Sequence, residues 1–179
     1  MYCDEGIYIY SAMNIARYII NFCIDIGSPI ENVKLQKILY YVQAAFLLEE
    51  HSPCFNEEIT KWRHGPVVID VYKSYRGFID LPIIKQEHYK QLELNDELEV
   101  KLITKTFDAN IIKSEHQKLI NKVVLGLASV DTWDLVSKTQ EEEPFICTKK
   151  DDVMSLLSIY TYFSKSISNE MRIYGKYYD

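Results

Sequence analysis

Apolar residues recur at helical spacing in several separate segments of the chain. The first such segment starts at Ser11, and Gly27 followed by Pro29 ends it. Its apolar face consists of Ala12, Ile15, Ala16, Ile19, Ile20, Cys23 and Ile26. This spacing predicts a first amphipathic helix.

A second helix is predicted from about Val33 to Glu50 and carries two apolar stripes. A helix that is apolar around so much of its circumference is expected at the centre of the domain. Its start is ambiguous. Residues 28–31, Ser-Pro-Ile-Glu, fit a capping box, and Asn32 could equally cap a later start.

The segment ITKWRHGPVVIDVYKSY, residues 59–75, brings an aromatic residue, two basic residues, glycine and proline together. We predict a short extended piece through Trp62, a corner at Gly65 and Pro66, and then a helix with Pro66 in its first turn. The residues at helical spacing are Val68, Val71, Tyr72 and Tyr75. This places Arg63 and His64 at a helix N-terminus.

Between residues 77 and 113 the helical period fades, and leucine and valine alternate with polar residues around Asn95. That alternation predicts a small β-hairpin within residues 80–104. A long helix follows from Ser114, where S-x-x-Q fits a capping box, and a shorter one spans Thr132 to Thr139.

A last helix is predicted from a cap near Thr148, and its apolar positions extend to Ile167. The tyrosine-rich tail 168–179 is expected to be loose. Together these elements predict a mainly α fold: a compact single-domain helical bundle of about five to seven helices with a small β-hairpin at 80–104. The domain covers residues 1–179, with its core in 11–163.

Composition narrows the function classes. The chain has 179 residues, a formal net charge of −6 and four cysteines without a C-x-x-C pair. The acidic balance disfavours nucleic acid as a partner, and the cysteine spacing favours free thiols. No apolar run approaches the roughly 20 residues that span a bilayer, and the acidic MYCDEG start does not resemble a secretion signal. We therefore expect a cytoplasmic protein without a membrane partner.

Motifs that carry chemistry are scarce. The sequence contains no nucleophile elbow, phosphate-binding glycine loop, dinucleotide fingerprint or H-E-x-x-H motif. His51 and Cys54 make a poor metal pair, and exposed turn positions are the favoured interpretation. The acidic run of residues 141–143 is expected to be a solvated surface rather than a cation site. We expect no catalytic residue, metal or cofactor.

The segment around Arg63 allows three interpretations. A helix N-terminus could bind an anion while His64 moves a proton. Alternatively, Trp62 anchors the core, and the two basic residues hydrogen-bond to nearby carbonyls or carboxylates. A third interpretation is recognition of another protein, because Trp, Arg and Tyr dominate binding hot spots and the chain has 14 tyrosines.

Three segments in order resemble the Panacea domain, a bacterial and phage-encoded family that includes phage-associated and SocA-like proteins. They are LQKILYYVQAAFL (35–47), EITKWRHGPVVIDVYKSY (58–75) and WDLVSKTQEEEPF (133–145). The positions that carry the resemblance are Leu35, Gln36, Lys37, Leu39, Tyr40, Tyr41, Trp62, Gly65, Pro66, Glu142 and Pro144. The chain departs from the family pattern at Gln140 and Phe145, where members often have histidine and tryptophan.

The resemblance implies a mostly helical antitoxin that binds a cognate toxin directly. Some members work as adaptors that present the toxin to a protease. We expect the toxin to be encoded by an adjacent gene and leave homo-oligomer formation open. The candidate partner-binding residues are Arg63, His64, Val67, Val71, Tyr72 and Tyr75. Partner choice is expected to reside in residues 77–113 and in the tyrosine-rich tail.

Two other functions stay open beside this one. The first is a small hydrolytic enzyme that uses His64 and Arg63 at a helix N-terminus, and the second is a DNA-binding autoregulator. An alanine at position 64 separates the enzyme from the antitoxin. The acidic balance argues against the regulator.

Overall fold

The computed structural model describes residues 8–94 and 98–175 and contains, within them, eight α-helices and two antiparallel strand pairs. The helices are Ala12–Asp25 (α1), Asn32–Glu49 (α2), Ile69–Ser74 (α3), Ser114–Leu127 (α4), Thr132–Gln140 (α5), Glu143–Cys147 (α6), Leu156–Ser164 (α7) and Ile167–Tyr174 (α8). The strands are Ile59–Trp62 (β1), Gly65–Val68 (β2), His88–Leu94 (β3) and Val100–Thr106 (β4). The mainly helical prediction is confirmed, but five to seven helices and one hairpin were too few.

Helix α2 lies at the centre of the described fold, as its two apolar stripes predicted. It contacts α1, α4, α5, α7 and the β1–β2 pair, and nearly all of its residues are buried. Neither predicted cap forms: Glu31 occupies the N-cap position but its side chain accepts no hydrogen bond from the first turn of α2, and Asn32 is already helical. None of the helices in 8–94 and 98–175 is long and apolar enough to cross a bilayer.

The segment 59–75 forms a β-hairpin followed by a short helix. Trp62 pairs with Gly65, and Arg63 and His64 form the two-residue turn between β1 and β2. The predicted helix start at Pro66 was therefore wrong, and the two basic residues do not lie at a helix N-terminus. The cause of this difference is a tertiary contact with α2, not the local sequence. Val68 donates its backbone N–H to a side chain of α2, and this hydrogen bond favours extended backbone at a β-branched residue.

The predicted central hairpin exists, shifted from 80–104 to residues 88–106. Tyr89 on one face of it lies under the Arg17 guanidinium of α1, 3.6 Å from carbon to ring centroid. The opposite face carries two apolar cross-strand pairs and points away from the core. This apolar hairpin face consists of Leu92, Leu94, Val100 and Leu102, which are 60–66% exposed. Residues 95–97, which connect the two strands in sequence, lie outside the described part.

The C-terminal region forms two helices instead of the single predicted one. Ser155, not Thr148, caps α7, and Ser166 caps α8. Residues 168–174, predicted to be loose, lie in α8, where Ile173 and Tyr174 are fully buried. Residues 176–179 are outside the described range.

The predicted caps at Ser28 and near Thr148 thus do not form, and the predicted cap at Ser114 does not form either. Ser114 is the first residue of α4 rather than its cap, and Lys113 precedes it without a side-chain cap. The Gln117 amide instead donates to the backbone carbonyls of Ala109 and Ile112. The glutamine therefore fastens the preceding 3-10 turn to α4.

Candidate functional site

Polar side chains on one face of α2 form hydrogen bonds with the backbone of the β1–β2 hairpin and of α3. The Gln36 amide oxygen accepts a hydrogen bond from the Val68 N–H at 2.9 Å. The Lys37 ammonium donates to the Pro66 carbonyl at 2.9 Å, and the Asn32 amide donates to the Tyr72 carbonyl at 2.9 Å. Buried backbone groups need such partners. The Leu-Gln-Lys segment and the Gly-Pro-Val corner are therefore two halves of one contact.

Gly65 leaves the space that Lys37 occupies. Its backbone φ is +100°, a conformation that residues with a side chain rarely adopt. A Cβ at this position would lie 2.7 Å from Lys37 Cε and 2.9 Å from the hydroxyl of Thr139. The glycine is thus required both by its backbone and by the lysine packed against it.

The acidic run does not form a solvated surface throughout, because Glu142 is completely buried. Its carboxylate accepts hydrogen bonds from Tyr40 at 2.9 Å, from Tyr41 at 2.8 Å and from Arg172 Nε at 2.9 Å. Burial raises the pKa of Glu142, and the hydrogen bonds from Arg172 and the two tyrosines act in the opposite direction. This cluster joins α2, α8 and the start of α6. Sequence reasoning missed Arg172, which lies in the segment predicted to be loose.

The two departures from the family pattern still contact the hairpin. The Gln140 amide donates to the Arg63 carbonyl at 2.8 Å. The Lys61 ammonium donates to the Phe145 carbonyl at 2.7 Å and lies 4.3 Å from the centroid of its ring. Both residues therefore tie α5 and α6 to β1–β2.

A cavity of about 490 Å³ opens between the β1–β2 hairpin and the first turns of α2 and α5. We name it the aromatic cleft and define it by Trp62, Arg63, His64, Val67, Tyr72 and Trp133. Trp62 meets Tyr72 edge to face with ring centroids 5.1 Å apart, and His64 meets Trp133 in the same way at 5.3 Å. Trp133 remains 55% exposed. Such rings pack well against apolar atoms and still reach polar partners.

The cleft gathers four of the six predicted partner-binding residues. Arg63 and His64 are exposed at its mouth, Tyr72 is half-buried and Val67 is buried in its wall. The remaining two, Val71 and Tyr75, belong to the hydrophobic core. A partner cannot touch these two in this conformation.

Sequence reasoning also misjudged other residues around the cleft. Trp62, considered as a core anchor, is only half-buried and forms a wall. Trp133, which lies within the segment 133–145 but was not singled out, contributes a ring that is 55% exposed. Its position just after an Asp131 N-cap could have suggested a surface site at the start of α5.

Lys37 borders the cleft and is 1% exposed. Burial lowers the pKa of its ammonium to about 7, and no carboxylate of the described residues opposes that shift. Two other enclosed lysines differ. Glu31 and Asp131 raise the pKa of Lys34 against the effect of burial, and Glu142 does the same for Lys138, whose pKa falls to about 8.

The structure shows the surroundings of His64 and of the His51–Cys54 pair. Within residues 8–94 and 98–175 no hydrogen bond joins the His64 imidazole to a carboxylate or hydroxyl, and its contact is the Trp133 ring. His51 is exposed, whereas Cys54 is buried, which corrects the expectation that both are exposed turn residues. The described residues contain no group of three His, Cys, Asp or Glu side chains that could hold a metal ion.

Comparison with known proteins adds a family to this geometry. Residues 35–145, more than half of the chain, match the family described as "Antitoxin SocA-like, Panacea domain". A curated relative, "Antitoxin SocA" of Caulobacter vibrioides (strain NA1000 / CB15N), is 34% identical over 64 residues. The aligned part covers 34% of this chain and only 34% of that relative. No solved structure matches the chain.

Proposed function

Since the chain belongs to the family of SocA-like antitoxins with a Panacea domain, we propose that it neutralises a cognate toxin by direct binding. The toxin is encoded by an adjacent gene, and the neutralising contact needs no chemistry of the antitoxin itself. The relative that is named an antitoxin aligns over a third of its length, so its activity enters here only as support.

The aromatic cleft is the observation that carries the proposal. Its mouth presents Trp133, Arg63 and His64 together, in front of the half-buried rings of Trp62 and Tyr72. Trp, Tyr and Arg are the residue types that most often carry binding energy, because they bury a large rigid area and also donate hydrogen bonds. A concave site with these side chains suits a protruding side chain of a partner.

The apolar hairpin face supplies a second contact surface. Its four aliphatic side chains form a contiguous exposed patch on a two-stranded sheet that packs on the body through only one face. A two-stranded hairpin has little stability of its own. Covering this face with a partner would both bury apolar area and stabilise the hairpin.

Growth rescue followed by co-purification tests the proposal. The adjacent open reading frame is expressed alone and together with the antitoxin, and complex formation is measured by size-exclusion chromatography. Toxicity relieved by co-expression, with both chains in one peak, is the expected result. A harmless neighbour, or rescue without a complex, would contradict direct binding.

A pair of variants connects the rescue to the cleft. Trp133→Ala removes an exposed ring, so the fold is retained and neutralisation is lost. Ile167→Ala removes a side chain that is 67% exposed at the start of α8, far along the chain from the cleft residues, and is expected to neutralise normally. Equal rescue by both variants would place the toxin elsewhere on the surface.

The enzyme and regulator alternatives predict different results. A hydrolytic mechanism requires His64, so a folded His64→Ala variant that still forms the complex and neutralises the toxin removes it. A DNA-binding autoregulator predicts a salt-dependent shift of promoter DNA by the purified antitoxin. Delivery of the toxin to a protease predicts that toxin levels fall on co-expression, whereas steric inhibition leaves them unchanged.

A further inference from the structure

We propose that the aromatic cleft receives an aspartate or glutamate side chain of the toxin, whose carboxylate becomes the counter-charge of Lys37. This inference rests on the proposed function and adds to it the chemistry of the residue that enters the cleft. The toxin residue that enters the cleft is therefore acidic, and the carboxylate is surrounded there by apolar side chains.

The Lys37 ammonium has fewer hydrogen-bond acceptors around it than it has donors. An ammonium has three donors, and within the described residues this one has a single hydrogen-bond acceptor, the Pro66 carbonyl at 2.9 Å. The residue is 1% exposed, so water does not solvate the charge freely. A buried charge is costly unless an opposite charge lies beside it. In its protonated form, Lys37 of the free protein is therefore a buried ammonium that no carboxylate of the described residues balances.

The other enclosed lysines show what this chain does when the counter-charge is internal. Lys34, one turn before Lys37 on α2, donates to the Ala128 carbonyl. The nearby carboxylates of Glu31 and Asp131 raise its pKa and so stabilise its charge. The carboxylate of Glu142 likewise raises the pKa of Lys138 against the effect of burial. Lys37 differs from both because it borders the cleft and none of these carboxylates acts on it.

The cleft also has the charge and polarity to guide such a group. Arg63 at the mouth adds positive charge on the hairpin side, and the neighbouring imidazole of His64 adds a hydrogen-bonding group. Two acidic residues border the cleft as well: Asp80 is exposed, and Glu31 accepts a hydrogen bond from the Thr132 hydroxyl. Trp62 and Tyr72 would exclude water around an inserted carboxylate, and a dry environment strengthens the attraction between opposite charges.

Binding by matched lysine variants tests the inference. Lys37→Met keeps an unbranched side chain and removes the charge, and Lys34→Met makes the same change one turn away, outside the cleft. The Kd for the toxin is measured with the full-length antitoxin, after thermal unfolding has shown that each variant folds. We expect Kd to rise roughly thirtyfold or more for Lys37→Met and to stay nearly unchanged for Lys34→Met.

A double-mutant cycle identifies the toxin residue. Surface aspartates and glutamates of the toxin are changed one at a time to asparagine or glutamine. One of these substitutions should weaken binding of the wild-type antitoxin at least tenfold and have almost no effect on Lys37→Met. If no acidic residue of the toxin couples with Lys37, the inference is overturned.

Tryptophan fluorescence shows whether the contact is made in the cleft. The chain has two tryptophans, Trp62 and Trp133, and both line the cleft, so a tryptophan-free toxin variant should change their emission on binding. Arg63→Gln, in the exposed turn, is a second variant that cannot disturb the core. It should lower the association rate and its salt dependence.

The outcomes separate the two proposals. A toxin that wild-type antitoxin does not bind overturns both. A complex that forms with unchanged Kd in Lys37→Met, or without a change in tryptophan emission, overturns only the acidic contact in the cleft.

Discussion

Lys37→Met should make the free protein more stable at neutral pH, although it deletes a hydrogen bond at the centre of the fold. The wild-type ammonium has an ordinary pKa of 10.5 and about 7 after burial. At neutral pH the unfolded chain binds a full proton at this site, and the folded chain binds about half of one. Burial of Lys37 therefore opposes folding.

The size of the effect follows from that displacement of the pKa. Each unit corresponds to about 1.4 kcal/mol, so the cost of burying this group approaches roughly 4 kcal/mol near pH 7. The lost bond to the Pro66 carbonyl offsets about 1–2 kcal/mol. A net gain of about 2 kcal/mol is expected, in the range seen when buried charges are replaced by apolar side chains.

The pH dependence distinguishes this cause from a general packing effect. Between the folded and unfolded pKa values the unfolded state binds more protons, so the free energy of unfolding of the wild type rises with pH. From about pH 7 to about pH 8.5 the advantage of Lys37→Met should shrink by about 1.5 kcal/mol. Unfolded cysteines, with a pKa of about 8.5, begin to titrate at the upper end of this range, but they do so equally in the wild type and the variant.

Urea unfolding monitored by tryptophan fluorescence measures both quantities. Wild type and Lys37→Met are compared at each pH, so that titration of all other groups cancels in the difference. A variant that is less stable than wild type at neutral pH, or a difference that does not change with pH, would refute the reasoning.

Three further predictions concern the hairpins and the buried carboxylate. Gly65→Ala should destabilise the fold by about 2 kcal/mol or more, because its φ is +100° and Lys37 fills the space of a Cβ, whereas Gly77→Ala, with nothing within 4 Å, should change thermal stability little. Glu142→Gln should cost roughly 3 kcal/mol in urea unfolding, since Arg172 and two tyrosines lose a charged acceptor, and the exposed Glu141→Gln less than about 0.5 kcal/mol. Leu102→Ser should leave unfolding unchanged within about 0.5 kcal/mol, because the side chain is 60% exposed, yet weaken the complex with the toxin; equal affinity would remove the apolar hairpin face from the interface.

The elements that the sequence predicted well are those whose apolar period is long. Helix α1 and central α2 were found within a residue or two of their observed bounds, because amphipathic spacing reflects burial directly. The hairpin 88–106 was visible as alternation for the same reason. Its register could not be derived, because the turn sequence does not fix it alone.

Two of the errors share one physical cause, because in both cases tertiary hydrogen bonds overrode the local sequence signals. Pro66 suggested a helix start, but side chains from α2 satisfy the backbone of an extended segment there. The acidic run suggested solvent, but Arg172 and two tyrosines surround Glu142. In each case the partner lies at least 29 residues away in the chain, beyond the reach of any local pattern.

The candidate site was half predictable. Arg63, His64 and Tyr72 were chosen for their residue types, and these types favour interfaces wherever they are exposed. Val71 and Tyr75 were chosen for proximity in the chain, and proximity on a short helix does not determine which face is exposed. The contributions of Lys37 and Trp133 depend on how α2, α5 and the hairpin meet, and only the fold provides this.

The pairing of Glu142 with Arg172 affects how the chain folds while it is being synthesised. Helix α8 leaves the ribosome after the other seven described helices, so Glu142 and its two tyrosine partners emerge before the guanidinium that completes their cluster. Domains fold as units while synthesis proceeds from the N-terminus. The nascent chain therefore has no guanidinium for this buried carboxylate until α8 has been synthesised, and its core can close only when that last described helix arrives.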